Sequence, residues 1–174
     1  MRPRARLWTA AVSLACLLGL AVACLQDVSL VQVRLPGRGE VVDTVLARDN
    51  ERLCMKYIHS VERTPVQGWF AIDHSGGFRA LRTKTTGTGT GLPNVVPEDR
   101  VRMEGKWLIV DEGGRHIAKI PFYFLPLNDL RIFVGSEKID LSQVPPGSQL
   151  LITSRTLPAW EWALERALDI FSRI

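Results

Sequence analysis

The sequence predicts a mainly β domain, a small β-sandwich or barrel-like fold, with an N-terminal signal or anchor segment and a C-terminal amphipathic helix. Short strand-like runs recur about every ten residues with turn residues between them, which is typical of sandwiches and small barrels. An uncharged apolar run occupies residues 7–23, and a helical repeat of apolar residues begins at Trp160. We therefore divide the chain into an export segment (1–23), a β domain (24–155) and a helix (156–174).

The N-terminal segment has the pattern of an export signal. Three arginines within the first six residues precede the apolar run, and small residues follow it. The run is short for a spanning helix, which needs roughly 20 apolar residues. Residues 20–24, Leu-Ala-Val-Ala-Cys, fit either ordinary cleavage or a bacterial lipoprotein signal with Cys24 as the lipidated residue. Cleavage, lipidation and a retained anchor stay open, and each predicts the periplasm or the periplasmic side of the inner membrane.

The charge composition changes once the leader is set aside. The chain has 22 Lys plus Arg and 18 Asp plus Glu, but from residue 24 onward it has 19 basic and 18 acidic residues. The sequence thus offers no argument for a nucleic-acid partner, which needs clustered basic residues. Cys54 is expected to be a buried, inert thiol. If Cys24 is neither lipidated nor removed, a Cys24–Cys54 bridge could form.

The β domain is expected to contain ten strands, and two of its turns indicate hairpins. Glu112-Gly113-Gly114 is expected to join two paired strands, and Gly135 begins a two-residue loop that suits a type II′ turn. The predicted strands, in chain order, are residues 28–35, 41–47, 53–61, 66–73, 78–86, 106–111, 115–120, 131–134, 137–141 and 149–153.

The C-terminal helix has an apolar face. Trp160, Leu164 and Phe171, with Ala163, Ala167, Leu168 and Ile174, recur at steps of three and four. Pro158 suits the first turn of a helix. This face either packs on the β domain or docks on a membrane surface or a membrane-protein partner through Trp160, Leu164 and Phe171.

Residues 57–70 contain a dense polar motif. His59, Ser60 and Glu62 lie within four residues in a segment that is otherwise β-like. On a strand, alternation places His59 and Ser60 on opposite faces, which excludes a local Ser–His–acid triad. Ser60, Glu62 and Thr64 would share one face and could hold a polar ligand or a neighbouring loop.

Neither a metal site nor a nucleotide cofactor is predicted. His59, His74 and His116 are too scattered for a zinc motif. Gly87, Gly89 and Gly91 alternate with threonines but lack the following helix of a nucleotide fingerprint. This glycine segment is either a flexible surface loop or a binding loop beside residues 59–64.

Three elements together resemble the bacterial domain-of-unknown-function family 1850. They are Tyr57-x-His59-Ser60-Val61-Glu62-x-Thr64-Pro65-Val66, the aromatic Phe70, and Gly89-x-Gly91-Leu92-Pro93. The resemblance covers roughly residues 28–153 and does not extend to the helix. Members are small exported proteins, commonly encoded beside sodium-coupled TRAP transporters of the TAXI type. The resemblance implies an accessory role near such a transporter and no established activity.

Three hypotheses follow. The first is a noncatalytic accessory of a TAXI-type TRAP transporter, with the permease or the solute receptor as partner and no cofactor. The second is a periplasmic module that binds a carboxylate or similar ligand, and a hydrolase that depends on Ser60 is a distant third. A purely structural role, in which the polar groups hold the glycine segment in place, also stays open. The ligand-binding or loop-binding residues would be His59, Ser60, Glu62, Thr64, Pro65, Gly89, Gly91, Leu92 and Pro93.

Overall fold

A computed structural model of the chain describes residue 19 and residues 24–48, 51–88 and 95–172. The export segment otherwise lies outside these residues. Within them the strands are β1 (Asp27–Leu35), β2 (Glu40–Ala47), β3 (Arg52–Ile58), β4 (Pro65–Ile72), β5 (Phe78–Thr85), β6 (Arg100–Glu104), β7 (Trp107–Asp111), β8 (His116–Ile117), β9 (Ile120–Phe124), β10 (Arg131–Val134), β11 (Glu137–Lys138) and β12 (Ser148–Pro158). A 3₁₀ turn (Pro126–Asn128) precedes β10, and the helix α1 (Ala159–Ser172) follows β12.

The strands form two antiparallel sheets. The smaller has the order β2-β1-β12-β9, and the larger has the order β11-β10-β3-β4-β5-β7-β6, with β8 also paired to β5. Neither sheet closes into a barrel over the described ranges. The mainly β prediction with a C-terminal helix is confirmed, and the arrangement is a sandwich.

Both sheets contribute side chains to one hydrophobic core. Val31 and Val33 of β1 pack in the same cluster as Leu53 of β3 and Leu150 of β12, and all four are fully buried. In β3 and β10, buried residues alternate with exposed ones, as expected for a sheet with one covered face.

Two polar contacts join segments of different sheets. Gly77, in the turn between β4 and β5, accepts a hydrogen bond from Ser154 Oγ of β12 at 2.5 Å through its carbonyl. Asp43 of β2 accepts the Asp140 N–H, just after β11, at 3.0 Å. These contacts hold the rims of the sandwich.

The structure corrects the hairpin predicted at Glu112-Gly113-Gly114. β8 pairs with β5 instead of β7, so β5 has two successive partners along one edge. The connecting loop also bonds to β5, because Glu112 N–H donates to Leu81 O and Gly114 N–H to Ala80 O. Backbone groups of β5 thereby stay satisfied where β7 ends. The hairpin at Gly135 is confirmed, with β10 paired to β11 and Gly135 at φ 57°.

The chain divides into two compact units. One comprises residues 29–156 and the other comprises residues 1–28 with 157–174. In the second unit, Ala159 N–H at the start of α1 donates to Gln26 O at 2.8 Å, and Glu161 lies in the first turn, where its charge complements the helix dipole. Within the described part of the chain, no helix has the length and apolarity needed to cross a bilayer.

Gly77 provides a test of how closely the turn before β5 packs against β8. It has φ +81°, and a Cβ added there would lie 2.7 Å from Ile117 O. We expect Gly77→Ala to lower the free energy of unfolding by about 2–4 kcal/mol, measured by urea denaturation. Gly147→Ala is the matched control, because Gly147 has φ +83° with nothing within 4 Å of the added carbon. Gly147→Ala should lower the free energy of unfolding only by the cost of a left-handed backbone at alanine, about 1–2 kcal/mol. Equal decreases in the two variants would contradict the predicted clash at Gly77.

Candidate functional site

The polar motif of residues 57–70 is a hairpin and not a continuous strand. β3 ends at Ile58 and β4 begins at Pro65, and Ile58 pairs with Pro65 directly across the turn. The predicted strand 53–61 is therefore three residues too long. The six residues between the strands form the turn, so strand alternation does not govern them.

The hydrogen bonds of this turn involve His59 three times. Its N–H donates to Thr64 O at 2.8 Å, and its carbonyl accepts the Arg63 N–H at 3.0 Å. Its ring Nδ1 accepts the Glu62 N–H at 3.1 Å, which requires the ring proton to lie on Nε2. Arg63 adopts φ 54°, a left-handed conformation that closes the turn. His59 thus serves the geometry of the turn.

The turn presents its polar side chains in different directions. Ser60 and Glu62 are exposed, and Val61 is 69% exposed at the tip. Thr64 is half-buried, and its Oγ1 is completely covered. The expectation that Ser60, Glu62 and Thr64 share one face is therefore wrong, because a turn replaces the strand on which it depended.

Thr64 contacts the start of the glycine segment. A Cβ added to Gly87 would lie 2.7 Å from Thr64 Oγ1 and 3.0 Å from its Cγ2. Thr85, fully buried at the end of β5, bonds through its Oγ1 with both the N–H and the carbonyl of Gly87 at 3.2 Å. Thr85 therefore holds Gly87 against Thr64. The predicted site residues Gly89, Gly91, Leu92 and Pro93 lie outside the described residues.

Thr64 Oγ1 has no hydrogen-bond partner within the described part of the chain. A hydroxyl buried without a partner costs roughly 1–3 kcal/mol. The hairpin thus brings one unsatisfied polar atom and one glycine together, while it leaves Ser60 and Glu62 on the surface. The sequence offered no signal that separated Thr64 from its polar neighbours.

A family model for a domain of unknown function, DUF1850, matches residues 53–141, which is 89 of the 174 residues. The chain belongs to the DUF1850 family. The match begins in β3 and ends just after β11, so it contains the hairpin, Gly87 and the rest of the glycine segment. Comparisons with curated proteins and with solved structures each found no match.

Burial shifts the pKa of two side chains on the hairpin strands of this DUF1850 domain. Burial raises the pKa of the Cys54 thiol, and Lys56 only partly opposes that shift. The protonated thiol is a poor nucleophile. Burial also raises the pKa of Tyr57, whose ring packs edge-on against Phe122 at 5.0 Å between centroids. Tyr57 packs against the core, whereas Cys54 lies half-buried on the outer side of β3 and is not the buried thiol that the sequence predicted. Cys24 and Cys54 are free thiols.

The histidines of the DUF1850 chain lie in separate environments. His74 Nδ1 is 3.3 Å from Ser29 Oγ, and His116 Nδ1 is 3.8 Å from Asp73 Oδ2. Among the described residues, no three His, Cys, Asp or Glu side chains are grouped closely enough to hold a metal ion.

The helix α1, which lies beyond the DUF1850 match, has an exposed apolar stripe. The stripe residues are exposed by 49–74%, and they are Trp160, Leu164, Leu168 and Phe171. At about 100° per residue these four positions fall within about 80° of one another. On the opposite side of the helix, Arg166 stacks over Trp162 at 5.7 Å.

Gly87→Ala tests the contact with Thr64. We expect the added methyl group to lower the free energy of unfolding by about 1–3 kcal/mol, because it enters the space of the Thr64 side chain. In a Thr64→Ala background the same change should cost less, since both colliding atoms are gone. Gly113→Ala, at an open exposed position, is the control. A cost of Gly87→Ala that does not depend on residue 64 would show that the two residues are not in contact.

Proposed function

We propose that the protein is a noncatalytic accessory of a TAXI-type TRAP transporter, exported and held at the periplasmic side of the inner membrane. The observation that carries this proposal is the exposed stripe of α1. Membership of the DUF1850 family and the export pattern of the leader support the cellular context.

The stripe has the composition of a protein-docking surface. It combines two aromatic and two aliphatic side chains, and exposed apolar groupings of this kind mark interaction sites. Burying each of these side chains against a partner would contribute about 1 kcal/mol or more. A helix that presents four anchors at steps of four and three fits a groove on another protein.

The charge of α1 favours a protein over a lipid surface as the partner. Residues 159–172 contain Glu161, Glu165 and Asp169 but only one basic residue, Arg166. Helices that lie on membranes are typically rich in Lys and Arg on the polar face. We therefore assign the stripe to the permease or the solute receptor.

The hairpin supports a noncatalytic role. The His59 ring nitrogen that could act as a base for a neighbouring hydroxyl already accepts the Glu62 N–H. Ser60 is exposed in a turn, and among the described residues its hydroxyl has no hydrogen bond to a base. Nucleophilic catalysis needs such a base within hydrogen-bond reach.

The test is co-purification from detergent-solubilised membranes with the permease or the solute receptor as bait. Leu164→Glu with Leu168→Glu places two carboxylates in the stripe and should lower recovery about tenfold or more. Arg166→Glu changes the helix charge by the same two units on the opposite side, and it should leave recovery unchanged.

Two results would contradict the proposal. One is equal recovery of the stripe variant and the wild type. The other is the absence of any association, together with normal solute uptake after deletion of the gene.

A second candidate function is binding of a small carboxylate, which the unsatisfied Thr64 Oγ1 favours. A ligand that accepts a hydrogen bond from this hydroxyl should raise the melting temperature of the wild type but not of Thr64→Val. Without ligand, Thr64→Val should be neutral or stabilising by about 1 kcal/mol, because it removes a buried unsatisfied group. Ser60→Ala, at an exposed hydroxyl, should keep the ligand response. Thermal scans in which no carboxylate shifts the wild type would end this candidate.

A further inference from the structure

The side of the larger sheet that faces away from the core carries an unusual number of cations, and we call it the basic face. In β3, Leu53 and Met55 point into the core, so Arg52 and Lys56 point outward. In β5, the buried residues Phe78, Ala80 and Thr85 alternate with outward-pointing cations. These cations are Arg79, Arg82 and Lys84.

The same face continues onto the neighbouring strands. Arg131 lies opposite Lys56, and Lys138 lies opposite the outward-facing Phe133. Beyond β7, Arg100 lies opposite Asp111, and Arg102 lies opposite Ile109. The seven paired strands, spaced about 4.8 Å apart, make this surface roughly 29 Å wide.

The charge of the basic face is strongly unbalanced. On the outward side its strands present nine cations and two carboxylates, Glu104 and Asp111, whereas Glu137 of β11 lies opposite the core-facing Val134. Three flanking aspartates (Asp73, Asp129 and Asp140) reduce the surplus to +4. The whole chain from residue 24 has 19 basic and 18 acidic residues, so the remainder of that chain is negative.

Asp111 lies within the face, between Arg82 and Arg100 in the sheet, and the aspartates that flank the strands lie beside it. Asp111 pairs with Arg82 at 2.6 Å and with Arg102, and the Arg82 hydrogen bond lowers the pKa of Asp111. Asp129 pairs with Arg131 at 2.6 Å, and Asp73 lies 3.5 Å from Arg79. Arg52, Lys56 and Lys84 lie on β3 and β5, the two strands that flank the middle strand β4, and we call them the central cations. They have no carboxylate partner in the described part of the chain.

Aromatic rings lie beside the central cations, on β4 and on the strands next to β3 and β5. Lys84 Nζ lies 4.7 Å from the centre of the Trp107 ring, and Lys56 Nζ lies 5.3 Å from that of Phe133. Trp69 lies between Cys54 and Arg82 in the sheet, and it lines a shallow cleft of about 270 Å³ with Arg52, Leu81 and Arg82. The rings support the ammonium groups at fixed positions above the sheet.

We propose that the basic face binds the surface of an anionic phospholipid bilayer, with Arg52, Lys56 and Lys84 as the central phosphate-binding residues. A broad sheet face suits a planar array of headgroups, and clustered cations with interfacial tryptophans are the usual means of contacting one. This site is separate from the stripe of α1, and the proposal does not depend on the transporter.

The alternative polyanion is single-stranded nucleic acid, which the same charge would attract. Nucleic-acid binding also needs open aromatic faces for base stacking. Lys84 and Lys56 cover the Trp107 and Phe133 rings, and the export leader predicts a compartment away from nucleic acid. These observations favour the bilayer.

The experiment is vesicle co-sedimentation of the full chain. Vesicles of phosphatidylcholine alone measure charge-independent attachment, and vesicles of equal parts phosphatidylglycerol and phosphatidylcholine measure the anionic contribution. Each basic residue near an anionic surface changes partitioning by about fivefold. The triple variant Arg52→Gln, Lys56→Gln, Lys84→Gln should therefore lose about a hundredfold in binding to the anionic vesicles alone, and added salt should weaken wild-type binding.

Two sets of variants complete the test. Arg38→Gln, Arg48→Gln, Lys119→Gln removes the same charge from exposed positions off the basic face and should retain the anionic preference. Arg52→Lys, Lys56→Arg, Lys84→Arg keeps the charge and should also retain it, which separates charge from folding. The proposal would be overturned if the Arg52/Lys56/Lys84 glutamine variant and the Arg38/Arg48/Lys119 glutamine variant lost equal amounts of binding to the anionic vesicles. The proposal would also be overturned if the Arg52/Lys56/Lys84 glutamine variant kept its binding to the vesicles but lost binding to single-stranded RNA.

Discussion

The pairing of β3 with β4 and of β4 with β5 determines the character of both faces of the larger sheet. The register that sets Tyr57 opposite Val66, and Val66 opposite Thr85, directs these three side chains toward the core. The same register directs the side chains of Lys56, Gln67 and Lys84 to the opposite side of the sheet. A slip of one residue would exchange the two sets, burying cations and exposing the core. The apolar core and the cationic surface are therefore consequences of one ladder of hydrogen bonds.

The two exposed surfaces of the protein differ in chemistry. The stripe of α1 is apolar on a helix of negative net charge, whereas the outer side of the larger sheet is cationic with aromatic rings among the charges. The hairpin turn at residues 59–64 is neither an apolar surface nor a cationic one. Its histidine and backbone groups bond to one another, and its one inward hydroxyl lies against Gly87.

The sequence predicted much of the fold because local signals agree with it. Alternation in β3 and β10, the glycine turn at Gly135 and the helical repeat from Trp160 each reflect neighbouring residues. One error is local, because β3 ends at a turn in which the His59 ring bonds to the Glu62 N–H three residues further on. The other arose where distant residues decide, because the pairing of β8 depends on the free edge of β5. The cluster of cations was hidden for the same reason, since it joins residues from five strands that are far apart in sequence.

The two sheets differ in width, with four strands against a path of seven. The narrower sheet cannot cover all of the wider one, and Val101 and Met103 of β6, which pair on the core side, are 49% and 63% exposed. β6 is also the last strand on its side of the larger sheet. An uncovered, partly apolar edge strand is a template for intermolecular pairing and aggregation. Arg100, Arg102 and Glu104 alternate with these apolar residues, and such charges oppose the stacking of one chain on another. The same arginines that enlarge the cationic surface therefore also oppose the pairing of β6 with a strand of another chain.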